Sequence, residues 1–370
     1  MPRAAAVIDL AAAHHNLGVM AARAGDAELM AVVKAEGYGH GMVPLARVAR
    51  EAGVSWLGVA LPSEALELRA AGDSGRILAW LWAAGDPDIS ACVEADIDLS
   101  VSSLAALEEI ATAARSQGHR ARVHLKVDTG LSRNGVPEHD WAEVIAALAS
   151  SDDLEVVGIW SHLSSADVVG STSVAAQRAV FERAIATAES AGLTGLLRHL
   201  GNTATVLAHP DCQYDIVRVG IGIYGVSPNP EMGTAADLGL RPVMTLRVKI
   251  AGIKRIKAGA SVSYGETWTA AESTLIGLIP IGYADGVPRS ASNRANVSVN
   301  GRTYPIVGTV AMDQFMVDLG ENPDGLVVGD NVVLFGRDGD PAEIWAEHAD
   351  TIGYEVITRI APRVPRVYES

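Results

Sequence analysis

The chain predicts an α/β fold: a (β/α)8 TIM-like barrel followed by a mostly β C-terminal domain. Three observations lead there. Up to about residue 230, short apolar runs alternate with amphipathic helical stretches. Beyond about Pro242 the runs are β-rich and joined by turn chemistry. At 370 residues the chain is too long for one ordinary core. A doubly wound open sheet shows the same alternation, and periodicity does not separate the two architectures.

The strands of the first half are read at Met30–Lys34, Trp56–Ala60, Ile77–Trp82, Ile97–Val101, Val123–Val127, Val156–Trp160, Leu196–Leu200 and Ile216–Val219. Helical patterns lie between them, at Pro62–Ala71, Ser103–Gln117, Trp141–Ala149 and Ser173–Ala191. Pro62 and Ser63 suit a helix start, and Gly72 and Gly118 suit helix ends. In the second half, strands are read at Met244–Ile253, Thr274–Ile279, Val297–Val299, Thr303–Val307, Phe315–Leu319 and Val332–Phe335. Asn300-Gly301 between two of them is a hairpin signal. One helix is expected near Pro341–Ala349, with Asp340 as cap and Glu343 three residues on. A linker near Ser227–Leu240 divides the chain into residues 1–235 and 236–370.

Composition bounds the function. Hydrophobic residues make up 49% and charged residues 20%, as in soluble globular enzymes. A net charge of −15 argues against nucleic acid and anionic membrane surfaces as partners. Two cysteines, Cys92 and Cys212, make no disulfide framework and suit a reducing compartment. No apolar stretch approaches the roughly 18 residues of a membrane span, and His14, His15 and Asn16 interrupt any signal-peptide core, so a cytoplasmic location is expected.

Lys34 is the most informative residue. It closes the apolar run Leu29-Met30-Ala31-Val32-Val33 and precedes Glu36-Gly37-Tyr38-Gly39-His40-Gly41. An ammonium at a strand end sits where a barrel opens onto its active face. Burial lowers a lysine's pKa, and a neutral amine is the nucleophile that forms a Schiff base with an aldehyde. Other predicted strand ends also carry functional groups. They are Lys126, Asp128 and Arg133; Trp160-Ser161-His162; His199 with Gly201-Asn202-Thr203; and Arg218-Val219-Gly220-Ile221-Gly222. Asn202-Thr203 and Gly220-Ile221-Gly222 offer the oriented backbone amides that bind phosphate. Each residue alone has an ordinary structural role, such as a rim salt bridge, a packing histidine or a turn tyrosine.

Together the segments resemble the alanine racemases, which place pyridoxal 5′-phosphate on a barrel followed by a β domain. The motifs that carry the resemblance span nearly the whole chain. They are Ala31–Gly41, His124-Leu125-Lys126-Val127-Asp128-Thr129-Gly130-Leu131-Ser132-Arg133-Asn134-Gly135 and Val217-Arg218-Val219-Gly220-Ile221-Gly222-Ile223-Tyr224-Gly225. Val262-Ser263-Tyr264-Gly265, Gly282-Tyr283-Ala284-Asp285-Gly286, Val307–Gln314 and Thr351-Ile352-Gly353-Tyr354-Glu355 follow.

The resemblance implies roles. Lys34 would hold the cofactor covalently and act as one acid/base group. Tyr264 of the partner subunit in a head-to-tail homodimer would be the other. Tyr38, Thr203 with its neighbour Asn202, Gly220, Ile221 and Tyr354 would hold the phosphate. Arg218 would face the pyridine nitrogen, and Arg133 the phenolic oxygen beside the substrate. Tyr283, Met312 and Asp313 would reach the substrate from the partner, Tyr283 at the entrance and Met312 near the carboxylate. Lys126 would carry a carbamate that orients Arg133. No metal is implied.

Chemistry supports these roles independently. Racemisation removes a proton from one face of Cα and returns one to the other, and two opposed bases do this without flipping the substrate. Lysine and tyrosine have reference pKa values near 10 and need tuning. For Tyr264 the tuning group is His162, with Arg218 behind it. A guanidinium stays protonated, so Arg218 leaves the pyridine nitrogen largely neutral and the electron sink weak.

Three departures from the family pattern stand out: Glu36-Gly37 in place of a frequent Asn/Asp-Ala pair, Thr203 for a frequent serine, and Ala311 for a frequent cysteine. The expected activity is interconversion of L- and D-alanine for peptidoglycan. The alternatives are a broader amino-acid racemase, a PLP-dependent decarboxylase and a non-catalytic PLP-binding protein. The last is disfavoured by Tyr264 and the long β-rich second half.

Overall fold

The computed structural model describes residues 2–370. It divides into two compact units. One comprises Leu17–Gly37 and Met42–Ile223; the other joins the segment up to Asn16, Tyr38–Gly41 and Tyr224–Ser370.

The first strand, β1 (Ala4–Asp9), belongs to the second unit. The first unit is built on β2 (Glu28–Val32), β3 (Trp56–Val59), β4 (Arg76–Ala79), β5 (Asp98–Val101), β6 (Ala121–Lys126), β7 (Leu154–Trp160), β8 (Leu197–His199) and β9 (Ile216–Val219). These pair in parallel in the order β8-β7-β6-β5-β4-β3-β2-β9. The two ends of that order meet. Asp215 N–H donates to Arg198 O at 3.1 Å and Arg218 N–H to Gly201 O at 3.0 Å, and Asn202 and Arg218 form a parallel bridge. The sheet is therefore a nearly closed barrel, and the open-sheet alternative is excluded. Strands covered on both faces read as continuous apolar runs, as in fully buried Trp56-Leu57-Gly58-Val59.

Several element ends follow local chemistry. The helix Leu104–Gln117 starts at Ser103, whose Oγ accepts from Ala106 N at 3.1 Å, and ends at Gly118 in the left-handed region. The helix expected at 341–349 runs Ala342–His348, and Pro341, not Asp340, occupies the cap. Glu343 closes no capping box; its carboxylate accepts instead from Ser227 N at 2.7 Å.

The second unit holds a nine-stranded sheet. Its further members are β10 (Met244–Lys249), β11 (Gly252–Ile256), β14 (Thr274–Ile279), β15 (Asn296–Val299), β16 (Arg302–Val307), β17 (Phe315–Gly320), β18 (Asn331–Phe335) and β19 (Arg366–Glu369); β12 (Ser261–Val262) and β13 (Trp268–Thr269) pair separately. The order is β11-β14-β17-β16-β15-β18-β10-β1-β19. Strand β1 lies antiparallel to β10 and parallel to β19. A single cut at residue 235 thus misses the opening strand. Its all-apolar Ala4-Ala5-Ala6-Val7-Ile8 suits a buried strand of either sheet, and only pairing decides which. The β15–β16 hairpin turns at Asn300 (φ 50°) and Gly301 (φ 80°), as its two-residue signal requires.

Candidate active site

Lys34 does not end its strand. Strand β2 stops at Val32, and Lys34 opens a six-residue turn, Lys34–Gly39. From Ala35 to Gly39 every φ is positive: 53°, 55°, 58°, 52° and 82°. A left-handed turn strains each non-glycine residue by about 1–2 kcal/mol. Glu64 holds its start, Oε1 accepting from Ala35 N at 2.6 Å and Oε2 from Ala60 N at 2.9 Å. Gly37 departs from the frequent alanine at a position where glycine relieves that strain. Glu36 is exposed. Lys34 itself is half-buried, its Nζ 6.0 Å from the Trp80 ring centroid. Burial, then the charge of Arg133, pulls its pKa down, against a smaller opposing effect of Glu64.

Strand β6 shows how the barrel interior is furnished. Arg122, His124 and Lys126 alternate with fully buried Val123 and Leu125, so one face of the strand carries three polar groups in a row. Lys126 lies 4.4 Å from the Trp160 ring centroid. Burial and the neighbouring Arg218 and Arg133 pull its pKa down to about 8. After β6 the chain turns on Asp128, whose Oδ1 accepts from Gly130 N at 2.9 Å and Ser132 N at 3.0 Å; this loop presents Arg133, which is exposed.

Arg218 is 4% exposed and is the hub of a buried network. Its Nη1 donates to His199 O at 2.8 Å, and its Nη2 to Ser161 O at 2.6 Å and Leu200 O at 3.0 Å. His199 Nδ1 lies 3.2 Å from Nη1, and His162 Nδ1 3.4 Å from Nη2. Beyond His199 the chain of contacts continues. His199 Nε2 meets His124 Nδ1 at 2.9 Å, and His124 Nε2 meets Asp98 Oδ2 at 3.0 Å. Asp98 is fully buried between Arg76 and Arg122. Burial raises its pKa, but His124 and Arg76 outweigh that and hold it down to about 2. Burial, His124 and Arg218 keep His199 far below an ordinary imidazole, and burial with Arg218 pushes His162 down to about 3. Trp160 stacks on His199 with ring centroids 5.6 Å apart and planes 4° from parallel.

Thr203 follows Asn202, whose Oδ1 caps the short helix Thr203–Ala208 by accepting from Thr205 N at 3.1 Å. Thr203 Oγ1 accepts from Gly220 N at 3.1 Å and Gly222 N at 3.4 Å, which leaves its own O–H free to donate. Gly220 and buried Ile221 open the turn that follows β9.

The remaining candidates lie in the second unit. Tyr38 is buried, stacked on Tyr224 with ring centroids 4.6 Å apart, and 6.3 Å from Tyr354. Tyr264 is 73% exposed on a turn in which Ser263 has a φ of 65°. Thr309 pins that turn, its Oγ1 donating to Tyr264 O at 2.8 Å while Ser263 Oγ donates to Thr309 O at 2.6 Å. Tyr283, Met312 and Asp313 are also exposed and stand on two loops that bond to each other, Tyr283 N to Ala311 O at 3.1 Å and Ala284 N to Met312 O at 3.0 Å.

Within the barrel, then, the structure brings Lys34, Lys126, His162 and Arg218 together around two tryptophans and pairs Thr203 with Gly220. Asp98 and Glu64 are the residues that motif reasoning passed over; His124 and Trp160 stood within the quoted segments but were given no role. For His124 a signal existed in the polar–apolar alternation of β6.

A nearly closed parallel barrel with a desolvated lysine after one strand and a buried arginine on another, accompanied by a β-rich unit, defines a lysine-based barrel enzyme of two-domain type. Residues 8–228 match the alanine racemase N-terminal domain family and residues 243–368 the alanine racemase C-terminal domain family. An alanine racemase of Frankia casuarinae is 49% identical over 372 residues, covering 99% of this chain and 96% of the relative. One of Streptomyces coelicolor is 50% identical over 378 residues, with 99% and 96% covered. The crystal structure of alanine racemase from D-cycloserine-producing Streptomyces lavendulae superposes with a TM-score of 0.97 at 48% identity, covering 100% of this chain and 97% of that one. The chain belongs to the alanine racemase family, and it is an enzyme of that family. Membership implies pyridoxal 5′-phosphate as cofactor.

Proposed function

We propose that the protein interconverts L- and D-alanine with pyridoxal 5′-phosphate, by two bases contributed from two subunits of a homodimer. The residues present fit the cofactor. Arg218 has both terminal nitrogens occupied by Ser161, His162, His199 and Leu200, so its Nε–H is the donor that remains for a pyridine nitrogen. Lys34 would hold the aldehyde carbon, Thr203 with Asn202, Gly220 and Ile221 the phosphate, and Arg133 the phenolic oxygen. The phosphate roles of Tyr38 and Tyr354 belong to the same proposal. When bound, the cofactor withdraws electrons from Cα and makes its proton removable.

The protein's own groups do the rest. The Lys34 amine, with its lowered pKa, takes or returns the proton on one face. Tyr264 of the partner subunit serves the opposite face. His162 is neutral and accepts from Arg218 at Nδ1, so its Nε2–H is available to steady a phenolate. Arg218, a donor-only guanidinium, would offer the ring nitrogen no transferable proton and so would limit side reactions. Lys126, as a carbamate, would orient Arg133; Tyr283, Met312 and Asp313 of the partner subunit would face the substrate. A cytoplasmic role in supplying D-alanine to peptidoglycan completes the reading, supported by the family and by the absence, among the described residues, of any helix long and apolar enough to cross a membrane.

The observation that carries the two-base reading is Tyr264, a large side chain left 73% exposed on a strained turn that two side-chain bonds hold in place. Purified protein with pyridoxal phosphate should exchange the alanine α-proton with solvent deuterium and convert each enantiomer into the other. A binding protein would leave the proton in place, and a decarboxylase would release carbon dioxide.

A further inference from the structure

Asp285 is fully buried, yet it is a carboxylate on a turn whose neighbour Tyr283 is exposed. Its bonds explain the arrangement. Oδ2 accepts from Gly282 N at 2.9 Å, closing the turn that presents Tyr283. Arg363 grips both oxygens, Nε to Oδ1 at 2.5 Å and Nη2 to Oδ2 at 3.0 Å, and Arg3 adds a bond to Oδ1 at 2.8 Å. The same Arg363 Nη2 also donates to Asp313 Oδ1 at 2.6 Å, and Asp313 follows Met312 directly. One guanidinium therefore bridges two acidic residues on two separate loops, and those loops present Tyr283 and Met312. A planar fork with several fixed donors can hold two carboxylates in a set geometry; an ammonium cannot. Backbone packing fits the same purpose, since a Cβ on Gly282 would lie 2.5 Å from Met312 O.

We propose that Arg363 is a positioning residue for substrate binding: by bridging Asp285 and Asp313 it fixes Tyr283 and Met312 as one wall, and that wall serves the neighbouring protomer's Lys34. The proposal rests on the shared-site reading above. Its energetic logic is preorganisation. Loosening two loops that must be ordered around a small substrate weakens binding more than it slows proton transfer, because Lys34 stands on the barrel and Tyr264 is pinned by its own bonds at Thr309, ahead of Asp313 in that loop.

The test uses the holoenzyme. Arg363→Gln should raise KM for alanine about tenfold and lower kcat less than about threefold, the pattern of lost binding. Arg363→Lys, which reaches one carboxylate at a time, should fall between Gln and wild type. A kcat loss at unchanged KM, or no change in either, would overturn the proposal. Hybrid dimers separate local from global effects. Two differently tagged chains, Lys34→Ala and Arg363→Gln, are purified as a hybrid, which holds one site built from an intact Lys34 and an intact Arg363. That hybrid should show about half the wild-type kcat at wild-type KM. A parallel hybrid of Lys34→Ala with Tyr264→Phe reports on the shared site alone. If the Tyr264 hybrid recovers and the Arg363 hybrid keeps the raised KM, the wall does not serve the partner and the proposal fails with the shared site intact. If neither recovers, the shared-site reading itself is wrong.

Discussion

Arg218 Nη1 lies 3.2 Å from His199 Nδ1, and this contact fixes the direction of every hydrogen bond beyond it. A guanidinium only donates, so His199 accepts at Nδ1 and carries its proton on Nε2. That proton points to His124 Nδ1, so His124 carries its own on Nε2 and gives it to Asp98, whose ionised carboxylate only accepts. A donor-only cation and an acceptor-only anion terminate the chain, and one arrangement of protons satisfies all four residues.

The first prediction concerns stability against pH. His199 has a folded pKa far below its unfolded value of about 6.5. Below pH 6.5 the unfolded chain takes up a proton that the folded chain refuses, so this residue's contribution is full above that pH and is lost as pH falls. The slope is about 1.4 kcal/mol per pH unit for one group. Denaturant unfolding of the apoprotein between pH 7 and 5.5 should show it, and His199→Gln should be shallower by one proton. An equal slope in the variant counts against the assignment.

Lys34→Ala should abolish racemisation, and borohydride should no longer fix pyridoxal phosphate to the chain. Tyr264→Phe should cost about 10²- to 10⁴-fold in kcat, the range for losing a positioned proton-transfer group. It should leave α-proton exchange intact from one enantiomer only, read by proton NMR in deuterium oxide. Equal loss from both enantiomers would assign the two faces to something other than a lysine and a phenol.

Arg218→Glu places a group that can share a proton with the ring nitrogen where a donor-only cation stood. Transamination during turnover should rise relative to racemisation, measured as pyruvate formed per alanine racemised. An unchanged ratio would remove the argument that a weak electron sink protects the reaction.

Lys126, with its pKa held near 8, has a sizeable neutral fraction at mildly alkaline pH, and only the neutral amine adds carbon dioxide. Trapping with labelled bicarbonate should mark Lys126 increasingly from pH 7 to 9. Lys126→Ala should weaken the hold on Arg133 and raise KM, and a small added carboxylate should restore part of it. Absence of label across that range would leave Lys126 as a plain buried amine.

Gly282→Ala and Gly301→Ala should behave differently. Gly301 has a φ of 80° and nothing within 4 Å of an added Cβ, so its variant should lose stability by about 1 kcal/mol and keep its activity. Gly282 needs no positive φ, but its Cβ would drive into the Met312 backbone, so its variant should raise KM. Matched thermal melts and alanine kinetics on both variants check the contrast.

Much of the barrel was legible because parallel strands buried on both faces write themselves as apolar runs, and Lys34 and Arg218 interrupt or end such runs. Arg122-Val123-His124-Leu125-Lys126 was equally legible once strand alternation is applied, since every second residue must face the barrel interior. Asp98 was not. It pairs with residues 22 to 26 positions away, and Asp96, two positions earlier, carries the same charge outward. The left-handed turn after Lys34 also escaped notice. Gly37, Gly39 and Gly41 announced freedom, but nothing announced that Ala35, Glu36 and Tyr38 would adopt glycine's dihedrals beside them.

The opening strand lies between β10 and β19, and β19 spans Arg366–Glu369. The sheet that supports Tyr264, Tyr283 and Met312 therefore waits on synthesis. Residues 4–9 are made long before residues 366–369 and find both of their neighbours only when that later segment follows. A chain stalled or clipped ahead of Arg366 would carry a finished barrel and Lys34, but β1 would present an unpaired edge to solvent, open to the wrong strand.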